Sequence, residues 1–193
     1  MSTTRLVGFG ASTAQGAVDP EGGFLSRVQR LADAESYPLE VINRGIGGNS
    51  TPHMLARVDA LAELRPYDLL VVLGCNDLPR ANDGNAHNRT TLPDYTRNLE
   101  ALFPAIKGGG RCLFISSYPI CEVRRGMDPK VFRQYMEAAL SVARANGYEI
   151  WDLHAEILAS GVDYLSEDGL HYGAEGHAYL AERAYAWVKS EPL

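Results

Sequence analysis

A chain of 193 residues with 46% hydrophobic and 22% charged residues carries enough apolar material for one packed core and has the composition of a globular protein rather than a disordered one. Its formal charge of -6, from 18 Lys plus Arg against 24 Asp plus Glu, produces a field that repels phosphate backbones, which argues against nucleic-acid binding. No apolar stretch approaches the ~18 residues of a membrane span, and Met1 to Leu6 lack the basic and apolar pattern of a signal peptide. The expectation is a cytoplasmic protein folded as a single domain over residues 1–193.

In chain order, apolar runs at 6–9, 39–42, 69–73, 112–115 and 148–151 predict five short strands. The run Leu69-Leu70-Val71-Val72-Leu73 is continuously apolar, as a strand buried on both faces requires. Between and after them, residues 24–34, 52–64, 95–106, 130–146 and 174–189 predict helices, several with apolar residues three and four apart. Alternation of strand and helix calls for an α/β fold: a parallel five-stranded sheet covered by helices on both faces, in three layers, α/β/α. In such a fold, functional loops lie at the carboxyl ends of the strands. Two long polar connections, 78–92 and 118–129, follow strand ends and should overhang that edge; the second carries Arg124 and Arg125, a solvated basic pair or a contact for an anionic group.

Cys75, Cys112 and Cys121 show no CxxC spacing, which suits reduced thiols better than a disulfide framework or a zinc site. Asn49-Ser50-Thr51 and Asn88-Arg89-Thr90 match the glycosylation acceptor pattern, but without an export signal both are read as chance matches.

Four constellations follow predicted strands. The first is Gly8-Phe9-Gly10-Ala11-Ser12-Thr13-Ala14-Gln15-Gly16. A dinucleotide fingerprint needs glycine where Thr13 stands and an acid at the end of the second strand, where Asn43 stands, while a phosphate-binding Walker loop needs a lysine that is absent. What remains is a serine in a small-residue turn, either a helix cap or a nucleophile. The second is Asn43-Arg44-Gly45-Ile46-Gly47-Gly48-Asn49, a flexible connector or a loop whose backbone N–H groups close on a ligand. The third is Gly74-Cys75-Asn76-Asp77, a polar turn or an amide aimed at a developing oxyanion. The fourth is Asp168-Gly169-Leu170-His171, a surface pair or an imidazole oriented by a carboxylate three residues away. His177 follows. Together with Asp168 and His171 it raises the question of a metal, but the spacing matches no zinc pattern, and a helix-face histidine is the simpler reading.

The ordered set, serine after strand one, glycine after strand two, Gly-x-Asn-Asp after strand three and Asp-x-x-His before the last helix, resembles the SGNH hydrolases, or GDSL-type esterases and lipases. The resemblance spans Gly10 to His171. It implies a flavodoxin-like sandwich, a catalytic set of Ser12, His171 and Asp168, and an oxyanion hole made by the backbone of Ser12, Gly48 and the side chain of Asn76. Of the two neighbouring glycines, Gly48 fits the Asn43-x-Gly45-x-x-Gly48 spacing better than Gly47. No metal or organic cofactor is implied. Hydrolysis of a small carboxylic ester is expected, by a short-acyl esterase or an O-deacetylase of a carbohydrate or metabolite. A thioesterase, a lysophospholipase or a catalytically silent acyl-sugar-binding module would use the same parts. One departure from the family pattern is Ala11, where an aspartate usually precedes the serine.

Overall fold

A computed structural model describes residues 3–79, 89–116 and 127–190. Five strands, β1 (Thr4–Gly10), β2 (Leu39–Gly45), β3 (Tyr67–Val72), β4 (Gly109–Ile115) and β5 (Glu149–Trp151), form an all-parallel sheet in the order β2-β1-β3-β4-β5. Eight helices among the described residues cover it: α1 (Ser12–Gln15), α2 (Gly23–Ala34), α3 (Thr51–Leu55), α4 (Asp59–Ala62), α5 (Leu92–Ala105), α6 (Pro129–Ala145), α7 (Leu153–Ser160) and α8 (Ala174–Lys189). The result is the three-layer α/β/α sandwich expected from the alternating pattern, with the flavodoxin-like strand order that the resemblance implies.

Side chains alternate across a strand, so the continuous apolar run in β3 serves two cores at once. Leu69 and Val71 join Val7, Phe9 and Phe114 beneath α3, α4, α5 and α6. Leu70 and Val72 join Leu6, Leu113 and Ile115 beneath α1, α2, α7 and α8. Each fully buried leucine of this kind contributes roughly 2 kcal/mol through burial of apolar surface.

Helix starts follow local chemistry. Thr91 caps α5 by accepting from the backbone of Asp94, Asp128 caps α6 by accepting from Lys130, and Asp152 caps α7 by accepting from Ala155; each removes one orphan donor of a first turn. The continuous helix expected over 52–64 is instead two short ones, α3 and α4. Between them Arg57 N–H donates to Met54 O and Val58 N–H to Leu55 O, a tightened turn that aims the Arg57 side chain toward the sheet. Helix α7 follows β5 directly, where sequence periodicity gave no warning of it.

Asp19 ties the α1–α2 connection to α2. Its carboxylate, with a side chain 0% exposed, accepts from Arg27 Nε and Nη2 at 2.9 and 3.0 Å and from the Gly23 N–H at 3.0 Å. The Arg27 hydrogen bond outweighs the opposing effect of burial and lowers the Asp19 pKa to about 2. A carboxylate more acidic in the folded than in the unfolded chain contributes stability that is present above its ordinary pKa and lost as pH falls through the folded value. Asp19→Asn is therefore expected to lose about 2 kcal/mol at pH 7, with the deficit shrinking as unfolding is followed by urea titration from pH 5 to pH 2.

Candidate active site

The strand ends set the site. Gly10 of β1 pairs with Gly45 of β2 on one side and Val72 of β3 on the other, so three strands finish abreast at the switch point of the sheet, where α/β folds place their ligands. Ser12 lies two residues past that line, Gly48 three and Asn76 four. A cavity of about 220 Å³ opens there, lined by Ser12, Gly48, Asn76 and His171 with Val72, Leu73, Leu170 and Tyr172 among its apolar walls.

Ser12 opens the one-turn helix α1, with Ala11 at the cap position. The turn is packed closely: a Cβ on Gly10 would lie 2.1 Å from the Val72 carbonyl oxygen, so no larger residue fits between β1 and β3 here. Ala11 is 0% exposed and belongs to the apolar core. At this position an aspartate would have to bury its carboxylate in the same apolar packing.

Gly48 adopts φ +76, a left-handed conformation that glycine accepts without strain. The Gly47 N–H is already given to Gln15 Oε1 at 2.9 Å, and the Gly45 N–H to Asn43 Oδ1 at 2.8 Å. Of the loop's three glycines, Gly48 is the one on the cavity wall.

Asn76 and Asp77 stitch the β3 loop to the β2 loop. Asn76 Nδ2 donates to the Asn49 carbonyl at 3.0 Å, which orients the amide and leaves its second hydrogen. Asp77, 3% exposed, accepts from the Thr51 N–H at 2.9 Å and from Thr51 Oγ1 at 2.7 Å, while Asn98 Nδ2 donates to Thr51 Oγ1 at 3.0 Å. Burial raises the Asp77 pKa, and the hydrogen bonds from Thr51 and Thr90 counter it only in part.

Asp168 and His171 sit in a loop closed by the antiparallel bridge Leu165–Tyr172 and by the Ser166 N–H on the His171 carbonyl at 2.7 Å. Asp168 Oδ2 lies 2.6 Å from His171 Nδ1. Its Oδ1 accepts from Ser166 Oγ at 2.8 Å, Leu170 N at 2.8 Å and His171 N at 2.9 Å. Burial alone would push this carboxyl up, but the hydrogen bonds from His171, Leu170 and Ser166 together hold it below the usual carboxylate range. An ionised carboxylate on Nδ1 keeps the Nε2 face of the ring as the one available for proton transfer.

His177 does not join this group. The sequence placed it on a helix face, and it is on α8, but 0% exposed: Nδ1 accepts from the Phe24 N–H at 3.1 Å, the ring stacks on Phe24, and burial lowers its pKa. It is a neutral core histidine. Cys75 and Cys112 are buried and form no disulfide among the described residues. Cys121, Arg124 and Arg125 lie outside the described residues. Sequence reasoning missed Gln15, Thr51 and the part played by Asp77, because each acts through a partner remote in the chain.

The sequence profile of the GDSL-like Lipase/Acylhydrolase family matches residues 8–179. The chain belongs to that family. As a GDSL-like acylhydrolase it is a carboxylic ester hydrolase. No curated protein sequence matches it. Solved structures similar to this GDSL-like chain include a lipase/acylhydrolase from Enterococcus faecalis, at 22% identity over 97% of this chain and 96% of that one, TM-score 0.82. The acetylxylan esterase Axe2 from Geobacillus stearothermophilus is 21% identical over 98% and 96%, TM-score 0.76. The psychrotrophic esterase EstA from Pseudoalteromonas sp., in a structure inhibited by monoethylphosphonate, is 19% identical over 96% and 97%, TM-score 0.72. At these identities the likeness is one of fold.

Thr51→Val removes the hydroxyl that links Asp77 to Asn98 at nearly constant volume. A loss of about 1–3 kcal/mol is expected, because buried polar partners are left unsatisfied, and urea unfolding monitored by tryptophan fluorescence measures it.

Proposed function

We propose that the chain is a serine esterase that cleaves short-acyl carboxylic esters, of a soluble metabolite or an O-acetylated carbohydrate, through an acyl-serine. The observation that carries this reading is the single cavity on which Ser12, Gly48, Asn76 and His171 converge, with Asp168 2.6 Å from the far nitrogen of the imidazole. In this mechanism His171 Nε2 takes the Ser12 proton as Oγ attacks the ester carbonyl. The carbonyl π electrons move onto oxygen, and that oxyanion is met by the N–H groups of Ser12 and Gly48 and the side-chain amide of Asn76. His171 then returns the proton to the departing alcohol, and water attacks the acyl-serine in a second round that regenerates Ser12. Asp168 stays charged and holds the ring in the tautomer this requires.

Two features support a short acyl group. The cavity is small, and behind its Leu73–Gly74 wall the space beneath α5 and α6 is filled by Tyr95, Phe132, Tyr135 and Met136, leaving a void of only about 10 Å³. That is room for about one water and for no alkyl chain. Axe2 is an acetylxylan esterase by its own description, which favours acetylated sugars among the substrates to test.

The deciding experiment is labelling with a fluorophosphonate probe together with hydrolysis of p-nitrophenyl acetate. The parent should be modified at Ser12 and turn over the ester, and Ser12→Ala should do neither; hydrolysis by Ser12→Ala at the parent rate would overturn the assignment. Across a series of p-nitrophenyl esters, kcat/KM should fall steeply from acetate to octanoate. Met136→Ala should flatten that slope by opening space behind Gly74.

A further inference from the structure

Arg57 lies in the tightened turn between α3 and α4, outside the four sequence blocks. Its guanidinium Nη1 donates to the Arg44 carbonyl at 2.6 Å and its Nη2 to the Gly10 carbonyl at 2.8 Å. The Cζ stands 4.2 Å from the centre of the Phe9 ring, and Phe9 is itself 0% exposed. Both partners are backbone carbonyls rather than carboxylates. Nε is buried with no partner among the described residues, and burial lowers the pKa of the group. A half-buried cation whose Nε–H is left unsatisfied is a costly arrangement for a surface-facing turn.

The two carbonyls it grips belong to the last residue of β1 and the last but one of β2. Gly10 is two residues before Ser12. Arg44 is four residues before Gly48. The carbonyl of Gly10 also accepts from the Ile46 N–H at 3.2 Å, so the same oxygen anchors both loops. We propose that Arg57 is a positioning residue for ester cleavage: its planar fork, seated on Phe9, clamps the ends of β1 and β2 and sets the spacing between the Ser12 turn and the Gly48 loop.

A fork with two donors at fixed separation holds two acceptors in one geometry. A lysine ammonium is a point charge on a flexible stem and cannot hold both. The inference rests on the serine-esterase reading above, because the spacing matters only if attack at Ser12 is coupled to oxyanion binding at Gly48. Misplacement of reacting groups by about 1 Å can cost on the order of 100-fold in rate. The apolar walls from β3 and the 165–172 loop would still bind the ester.

The test compares Arg57→Lys and Arg57→Met with the parent, all in the full chain. The measurements are kcat and KM on p-nitrophenyl acetate, the second-order rate of fluorophosphonate labelling, and Tm. The expected result is a fall in kcat of about 10- to 100-fold, with KM within threefold of the parent and a parallel fall in labelling rate per folded molecule. Arg57→Lys, which keeps a stem over Phe9, decides the matter if Arg57→Met does not fold. Variants with lowered Tm but parent kcat and labelling rate per folded molecule would show Arg57 to be merely structural and would overturn the proposal. If the parent itself is not labelled at Ser12, it is the serine-esterase reading that fails.

Discussion

The carboxyl ends of β2, β1 and β3 finish level with one another, and the placement of Ser12, Gly48 and Asn76 descends from that register. Gly10 can pair with Gly45 and Val72 at once because it has no side chain to strike the Val72 carbonyl. A slip of one residue would exchange Leu69 and Val71 with Leu70 and Val72 between the two cores and force each side chain into a space shaped for another. Burial on both faces therefore does more than hold the sheet together. It fixes where each loop begins, to within a residue, and so brings Ser12, Gly48 and Asn76 to one cavity.

From those starting points the loops are held by hydrogen bonds to neighbouring loops rather than by contacts of their own. Gln15 reaches from the Ser12 turn to the Gly47 N–H, Asn76 reaches from the β3 loop to the Asn49 carbonyl, and Asp77 receives both donors of Thr51. The three loops form one braced unit. Such bracing lets a site aim backbone N–H groups at a developing charge without paying reorganisation at the moment of reaction.

Two aspartates beside the cavity show how environment divides similar groups. Asp168, with its side chain 34% exposed, is surrounded by donors that favour the ionised form, so it can face an imidazole as a permanent charge. Asp77 is deeper and burial pushes its pKa up; its value lies in the donors it gathers. The lone alanine at position 11 belongs to the same logic. It sits wholly inside the apolar packing under the Ser12 turn, where a carboxylate would demand partners of its own.

The sequence by itself determined the alternation of strand and helix, the five-stranded parallel architecture, the helix over 174–189 to the residue, and the four blocks that carry Ser12, Gly48, Asn76, Asp168 and His171. These were legible because they depend on apolar periodicity and on residues close in the chain, as with the Asp168–His171 pair three residues apart. Only the tertiary structure decided the break of 52–64 into α3 and α4, the existence of α7, the burial of His177 against Phe24, and the parts played by Gln15, Thr51 and Arg57. The burial of His177 and the parts of Gln15, Thr51 and Arg57 turn on partners between 13 and 153 residues away, where local propensity is overridden by packing and by the need to satisfy buried polar groups.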